Sequence, residues 1–132
     1  MRIMLDTNVI ISLFLFPSEH MNAFKKVLVR HHIVLCSYVV EEIKEVVSRK
    51  FPGKTGSLDT FFKELPFEMT YTPQQIDETN YPVLRDACDL PVLVSALIEE
   101  IDVLVTGDKD FSDIDIERPE ILSPQEFIVK HG

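Results

Sequence analysis

Three short apolar runs constrain this chain more than any other feature: Arg2-Ile3-Met4-Leu5, Ile33-Val34-Leu35-Cys36 and Val103-Leu104-Val105-Thr106. Each is about as long as a buried strand, and each gives way at once to polar residues, Asp6-Thr7, Ser37 and Gly107-Asp108. Near-continuous apolar strands, rather than alternating ones, belong in a parallel sheet covered on both faces, because parallel pairing needs crossover helices that themselves cover the sheet.

The intervening segments supply those helices. Thr7 to Phe16 is an apolar helical stretch that Pro17 ends. In His20 to Arg30, Met21, Phe24, Val27 and Leu28 recur at helical spacing. In Ser37 to Phe51, Val39, Val40, Ile43, Val46, Val47 and Phe51 make one stripe, with Ser37 expected as cap and Pro52-Gly53 as stop. Ser57 to Leu65 reads as a helix and Phe67 to Tyr71 as a strand ended by Pro73. The apolar run from Leu90 to Ile98 is too long for a strand and accepts Pro91 in a first helical turn, so it reads as a buried helix. Glu120-Ile121-Leu122 is a last strand, followed by a helix with Ser123 as cap and Pro124 at its first position. Strands alternating with helices predict a three-layer α/β/α sandwich around a central parallel sheet.

With 132 residues, residues 1–132 are expected to form a single domain. No apolar run approaches the roughly 18 to 20 residues that span a bilayer, and Asp6 interrupts the apolar start that a secretory signal would need. A soluble, cytoplasmic protein without a membrane partner is expected. Cys36 and Cys88 have neither CxxC spacing nor a companion His cluster, so buried thiols are expected rather than a bridge or a zinc site. The four histidines are scattered and suggest no general base.

Acids concentrate where strands end and helices begin. Asp6 follows the first strand, Asp86 and Asp89 precede the buried helix, and Asp108 and Asp110 follow the strand at 103. In parallel sheets, ligands sit outside the carboxyl ends of the strands. Glu42 lies one turn inside the third helix. At about 100° per residue it falls beside Val46 on the border of the apolar stripe, while Glu41 and Glu45 fall opposite. Singly, these acids read as a helix cap (Asp6), as charges favouring a helix N-terminus (Asp86, Asp89), as turn formers (Asp108, Asp110) and as a surface glutamate (Glu42). Jointly they would repel, since two unit charges about 4 Å apart cost roughly 4 kcal/mol at an effective dielectric near 20. A bound divalent cation is the simplest neutraliser, and an all-oxygen donor set without paired His or Cys suits Mg²⁺ or Mn²⁺.

The stretches MLDTNVIIS, SYVVEEIKEVV, RDACDLPVLVSALIEEIDVLVTGDKDF and ILSPQEFI resemble, in order and spacing, the PIN-domain nucleases, and in particular the VapC-like ribonuclease toxins of toxin-antitoxin pairs. The resemblance spans nearly the whole chain. By position, Asp6 resembles the family's first metal-binding aspartate and Asn8 the polar residue that supports it. Glu42 resembles the second acid, Asp89 the third with Asp86 as a neighbouring candidate, and Asp108 the fourth with Asp110 beside it. Thr106 matches the small hydroxyl residue before that fourth acid. The resemblance implies Mg²⁺- or Mn²⁺-dependent hydrolysis of RNA phosphodiesters by in-line attack of water, a cognate antitoxin and a homodimer.

Composition sets a condition on that expectation. Only 13 Lys and Arg stand against 22 Asp and Glu, a net charge of -9, whereas affinity for a polyanion generally comes from a basic surface. Lys25-Lys26-Arg30 and Arg49-Lys50-Lys54 could flank a groove or be solvated helix faces, and Lys109 could pair with an acid or touch phosphate. Three alternatives stay open: a PIN fold that binds RNA or a partner without cutting, an aspartate-based phosphatase of the haloacid-dehalogenase type, and a receiver domain. The phosphatase normally carries Asp where Asn8 stands. The receiver needs an aspartate after a mid-chain strand, and Asp59 lies in a helix-like segment.

Overall fold

Pairing begins with the run at the N-terminus, which becomes the centre of the sheet. A computed structural model describes residues 1–84, 89–108, 111, 114 and 116–132. In it β1 (Arg2–Leu5) pairs in parallel with β2 (His32–Cys36) on one side and β4 (Val103–Val105) on the other, Met4 aligning with both Val34 and Leu104. β3 (Phe67–Thr70) adds in parallel outside β2, and β5 (Glu120–Leu122) outside β4. Among the described residues the sheet is five-stranded, in the order β3-β2-β1-β4-β5. Successive side chains of a strand point to opposite faces. Ile3, Met4 and Leu5 are all fully buried, so both faces of the centre are covered, which makes the expected three-layer α/β/α sandwich.

The covering helices are α1 (Thr7–Leu15), α2 (Glu19–Leu28), α3 (Ser37–Lys50), α4 (Thr55–Glu64), α5 (Leu90–Ile98) and α6 (Pro124–His131). α2 starts at Glu19 because the Ser18 hydroxyl accepts the Met21 N–H. α6 starts as its sequence dictates: Ser123 Oγ accepts the Glu126 N–H at 3.1 Å, and Glu126 Oε1 accepts the Ser123 N–H at 2.9 Å. A single apolar core joins the strands to these helices, with Phe24 of α2 meeting Phe127 of α6 edge to face at 5.7 Å between ring centres. Cys36 is buried within it as a free thiol. Cys88 lies outside the described residues.

One cap differs from expectation. Ser37 is the first residue of α3 and its hydroxyl does not cap the helix; it accepts the Thr72 N–H at 2.9 Å, from the loop after β3. Cys36 holds the N-cap position without a side-chain bond. Among the described residues no helix is long and apolar enough to cross a membrane.

Candidate functional site

At the carboxyl end of β1, Asp6 turns the chain into α1. Its N–H donates to the Val105 carbonyl at 3.0 Å, which ties the end of β1 to the end of β4. Its side chain is buried and doubly held. Oδ1 accepts the Thr7 N–H at 2.8 Å and Oδ2 accepts the Thr106 hydroxyl at 2.8 Å. Asn8, in the first turn of α1, bridges the two strand ends: its amide nitrogen lies 3.5 Å from Asp6 Oδ2 and 3.4 Å from Thr106 Oγ1, and its side-chain carbonyl oxygen accepts the Gly107 N–H at 2.9 Å. Thr106 Oγ1 also accepts the Asp108 N–H at 3.0 Å, which places the half-buried Asp108 beside Asp6.

The electrostatics of this edge oppose its ionisation. Burial pushes the Asp6 carboxyl above the usual carboxylate range; the Thr106 and Thr7 donors pull it back, and the negative charges of Glu42 and Asp108 push it up again. Glu42 therefore reaches the same edge from the second turn of α3. It is half-buried next to the half-buried Val46, whereas Glu41 and Glu45 are exposed, the division that the helical angles predict.

Asp89 is the N-cap residue of α5. Its side chain does not cap the helix, and its Oδ2 is buried. Asp86 and Asp110, the alternatives for the third and fourth acids, lie outside the described residues, as does Lys109. Among the described residues no three His, Cys, Asp or Glu side chains close into a cluster tight enough to hold a metal ion. The donor chemistry nonetheless fits a hard divalent cation: oxygen ligands, and a buried carboxyl whose charge is opposed by two other acids. Bringing those carboxylates together with a cation would remove the penalty that they impose on one another.

Two contributors escaped sequence reasoning. Gly107 takes part through its N–H alone, which carries no side-chain signal. The hydroxyls of Thr72 and Ser95, 2.8 Å apart, join the loop after β3 to α5, and Thr72 Oγ1 accepts the Tyr38 N–H at 3.3 Å. Their sequence separation hides this link, which depends on the pairing of β3 with β2.

The site lies where the order of strands reverses. From β1 the chain proceeds outward to β2 and β3, then returns past them to β4 and β5, so Asp6 and Asp108 flank the switch between β1 and β4. In an open parallel sheet that is where a ligand crevice forms. Several solved structures are similar in fold. VapBC2 from Rickettsia felis, solved bound to a promoter DNA fragment, matches with a TM-score of 0.65 and 22% identity over 93% of this chain and 98% of its own. FitAcB from Neisseria gonorrhoeae matches with a TM-score of 0.68 and 19% identity, also over 93% and 98%. VapC20 from Mycobacterium tuberculosis, described as a Sarcin-Ricin loop cleaving toxin, matches with a TM-score of 0.60 and 11% identity over 83% and 92%. No curated protein matches the chain in sequence. The PIN domain family matches residues 2–110, and the chain belongs to that family.

Proposed function

We propose that the chain is a metal-dependent endoribonuclease and the toxin of a toxin-antitoxin pair. The observation that carries this reading is Asp6: a buried carboxyl, clamped on both oxygens, whose ionisation Glu42 and Asp108 oppose. Such an arrangement gains most from a divalent cation, and the residues that would hold one are Asp6, Glu42, Asp89 and Asp108, with Asp86 and Asp110 beside them. When bound, Mg²⁺ or Mn²⁺ supplies Lewis acidity toward a phosphoryl oxygen and makes water a better nucleophile at neutral pH.

The chain's own groups set the geometry. Thr106 and the Thr7 N–H leave the Asp6 carboxylate one orientation. Asn8 and Thr106 hold the 106–108 segment against the start of α1, which keeps Asp108 beside Asp6. The toxin assignment draws on the fold shared with VapBC2, FitAcB and the loop-cleaving VapC20, and it extends to a cognate antitoxin and a homodimer. RNA hydrolysis by wild type and Asp6→Asn with Mg²⁺ or Mn²⁺ tests the reading. Cleavage is expected from wild type and is expected to fall by orders of magnitude in the variant; equal rates would sink it.

A further inference from the structure

Two open grooves of nearly equal size flank the acidic edge, and their charges differ. One, of about 700 Å³, runs from Asp108 along β5 and presents Glu117, Glu120 and Glu126 with no Lys, Arg or His among its described lining. The other, of about 690 Å³, lies between α3, the first turn of α5 and the loop after β3, and presents Tyr38, Tyr71, Gln74 and Pro91, with Glu41 and Lys44 side by side on α3. A strand carrying one negative charge per nucleotide is repelled from the first groove and admitted to the second. The second groove also adjoins the acids: Tyr38 precedes Glu42 by one helical turn on the same side of α3, and Pro91 stands two residues after Asp89.

From this contrast we propose that the Tyr38–Tyr71 groove seats an unpaired nucleotide of the RNA strand next to the cleaved phosphodiester, its base stacked on Tyr71 and a neighbouring phosphate on Lys44. Tyr71 is 78% exposed, which leaves its ring open to stack with a base. Stacking on aromatic rings is how single-stranded RNA is held without a broadly basic surface, which suits a chain with a net charge of -9. The platform is preformed. Ser37 accepts the Thr72 N–H at 2.9 Å, and Thr72 accepts the Tyr38 N–H at 3.3 Å, so the loop bearing Tyr71 is fastened to α3.

This rests on the nuclease reading, and the test separates the two. Cleavage of a short fluorescent single-stranded RNA is measured with Mg²⁺, and its binding by anisotropy with Ca²⁺, for wild type, Tyr71→Ala, Tyr71→Phe and Lys44→Gln, with thermal midpoints as the folding control. Tyr71→Ala is expected to raise both KM and Kd about tenfold with kcat little changed, and Tyr71→Phe to restore them. Lys44→Gln should flatten the dependence of log Kd on log salt by about 0.7. Unchanged KM and Kd in Tyr71→Ala would overturn the groove assignment, as would loss of a bound antitoxin in that variant with RNA affinity intact. If wild type binds RNA through Tyr71 yet cuts none, the groove stands and the nuclease reading falls; if it neither binds nor cuts, both fall.

Discussion

Thr106 shows how much one hydroxyl can organise. It donates to Asp6 Oδ2 and accepts the Asp108 N–H, so it orients one acid and positions the other. Thr106→Val keeps the shape and removes both bonds; it is expected to lower metal affinity and RNA cleavage about 10–100-fold, the usual scale for a group that orients a ligand. Thr106→Ser should retain most of both, and calorimetric titration with Mn²⁺ beside a cleavage assay checks the pair. The residues at this edge were legible to different degrees. Asp6 announces itself because it directly follows an apolar strand, Asp108 because it lies in the polar turn that ends β4, and Glu42 emerges from its angle on α3. That Thr106 and Asn8 would meet across nearly a hundred residues depends on β1 pairing with β4, which local pattern does not encode.

At the scale of elements, caps show where local sequence decides and where tertiary contacts do. Ser123 caps α6 as its surroundings prescribe, since Glu126 completes a reciprocal pair of bonds within four residues. Ser37 has the same chemistry at the start of α3, but β3 brings the Thr72 N–H within reach and that long-range donor takes the hydroxyl. The end of α5 holds a comparable conflict. Ile101 N–H donates to the Ala96 carbonyl at 3.0 Å and Glu100 N–H to the Leu97 carbonyl at 3.2 Å, the closure that places the donor of the second bond in a left-handed conformation. That residue is Glu100, at φ 52°, where glycine would avoid a clash of its Cβ. Its side chain is exposed, and the bond from Arg118 reaches only its backbone carbonyl. Glu100→Gly should therefore stabilise the chain by about 0.5–1 kcal/mol, the strain relieved less the added freedom of the unfolded state. Urea denaturation measures it, and a lower midpoint for the variant would refute the account.

Across the whole molecule, carboxyl groups divide into two sets with opposite effects on stability. At the amino end of the sheet and around β5 they are satisfied: the Arg2 backbone N–H and the Arg118 guanidinium hold Asp102 below the usual carboxylate range, Lys130 and His131 do so for Glu120, and His32 and Arg2 for Glu68. At the carboxyl end, Asp6 is pushed the other way by burial, Glu42 and Asp108. The signs follow from proton linkage. The satisfied groups bind fewer protons when folded, so what they contribute is complete above the ordinary carboxylate range and is lost as pH falls through their lowered values. Asp6 binds more protons when folded, so stability drops as pH rises from its ordinary value through its raised one, and self-repulsion from the net charge of -9 adds to that loss toward neutrality. Metal-free protein should thus be most stable on the acid side of neutrality. Asp6→Asn should remove part of the decline toward neutral pH without altering the acid limb, and saturating Mg²⁺ should remove it in wild type alone, because a cation stabilises only the folded state that gathers the acids. Denaturation midpoints across pH, with and without Mg²⁺, read this directly. Parallel neutral-side slopes in wild type and Asp6→Asn would show that the charges at this edge do not act on one another, and the case for a cation between them would fail with that result.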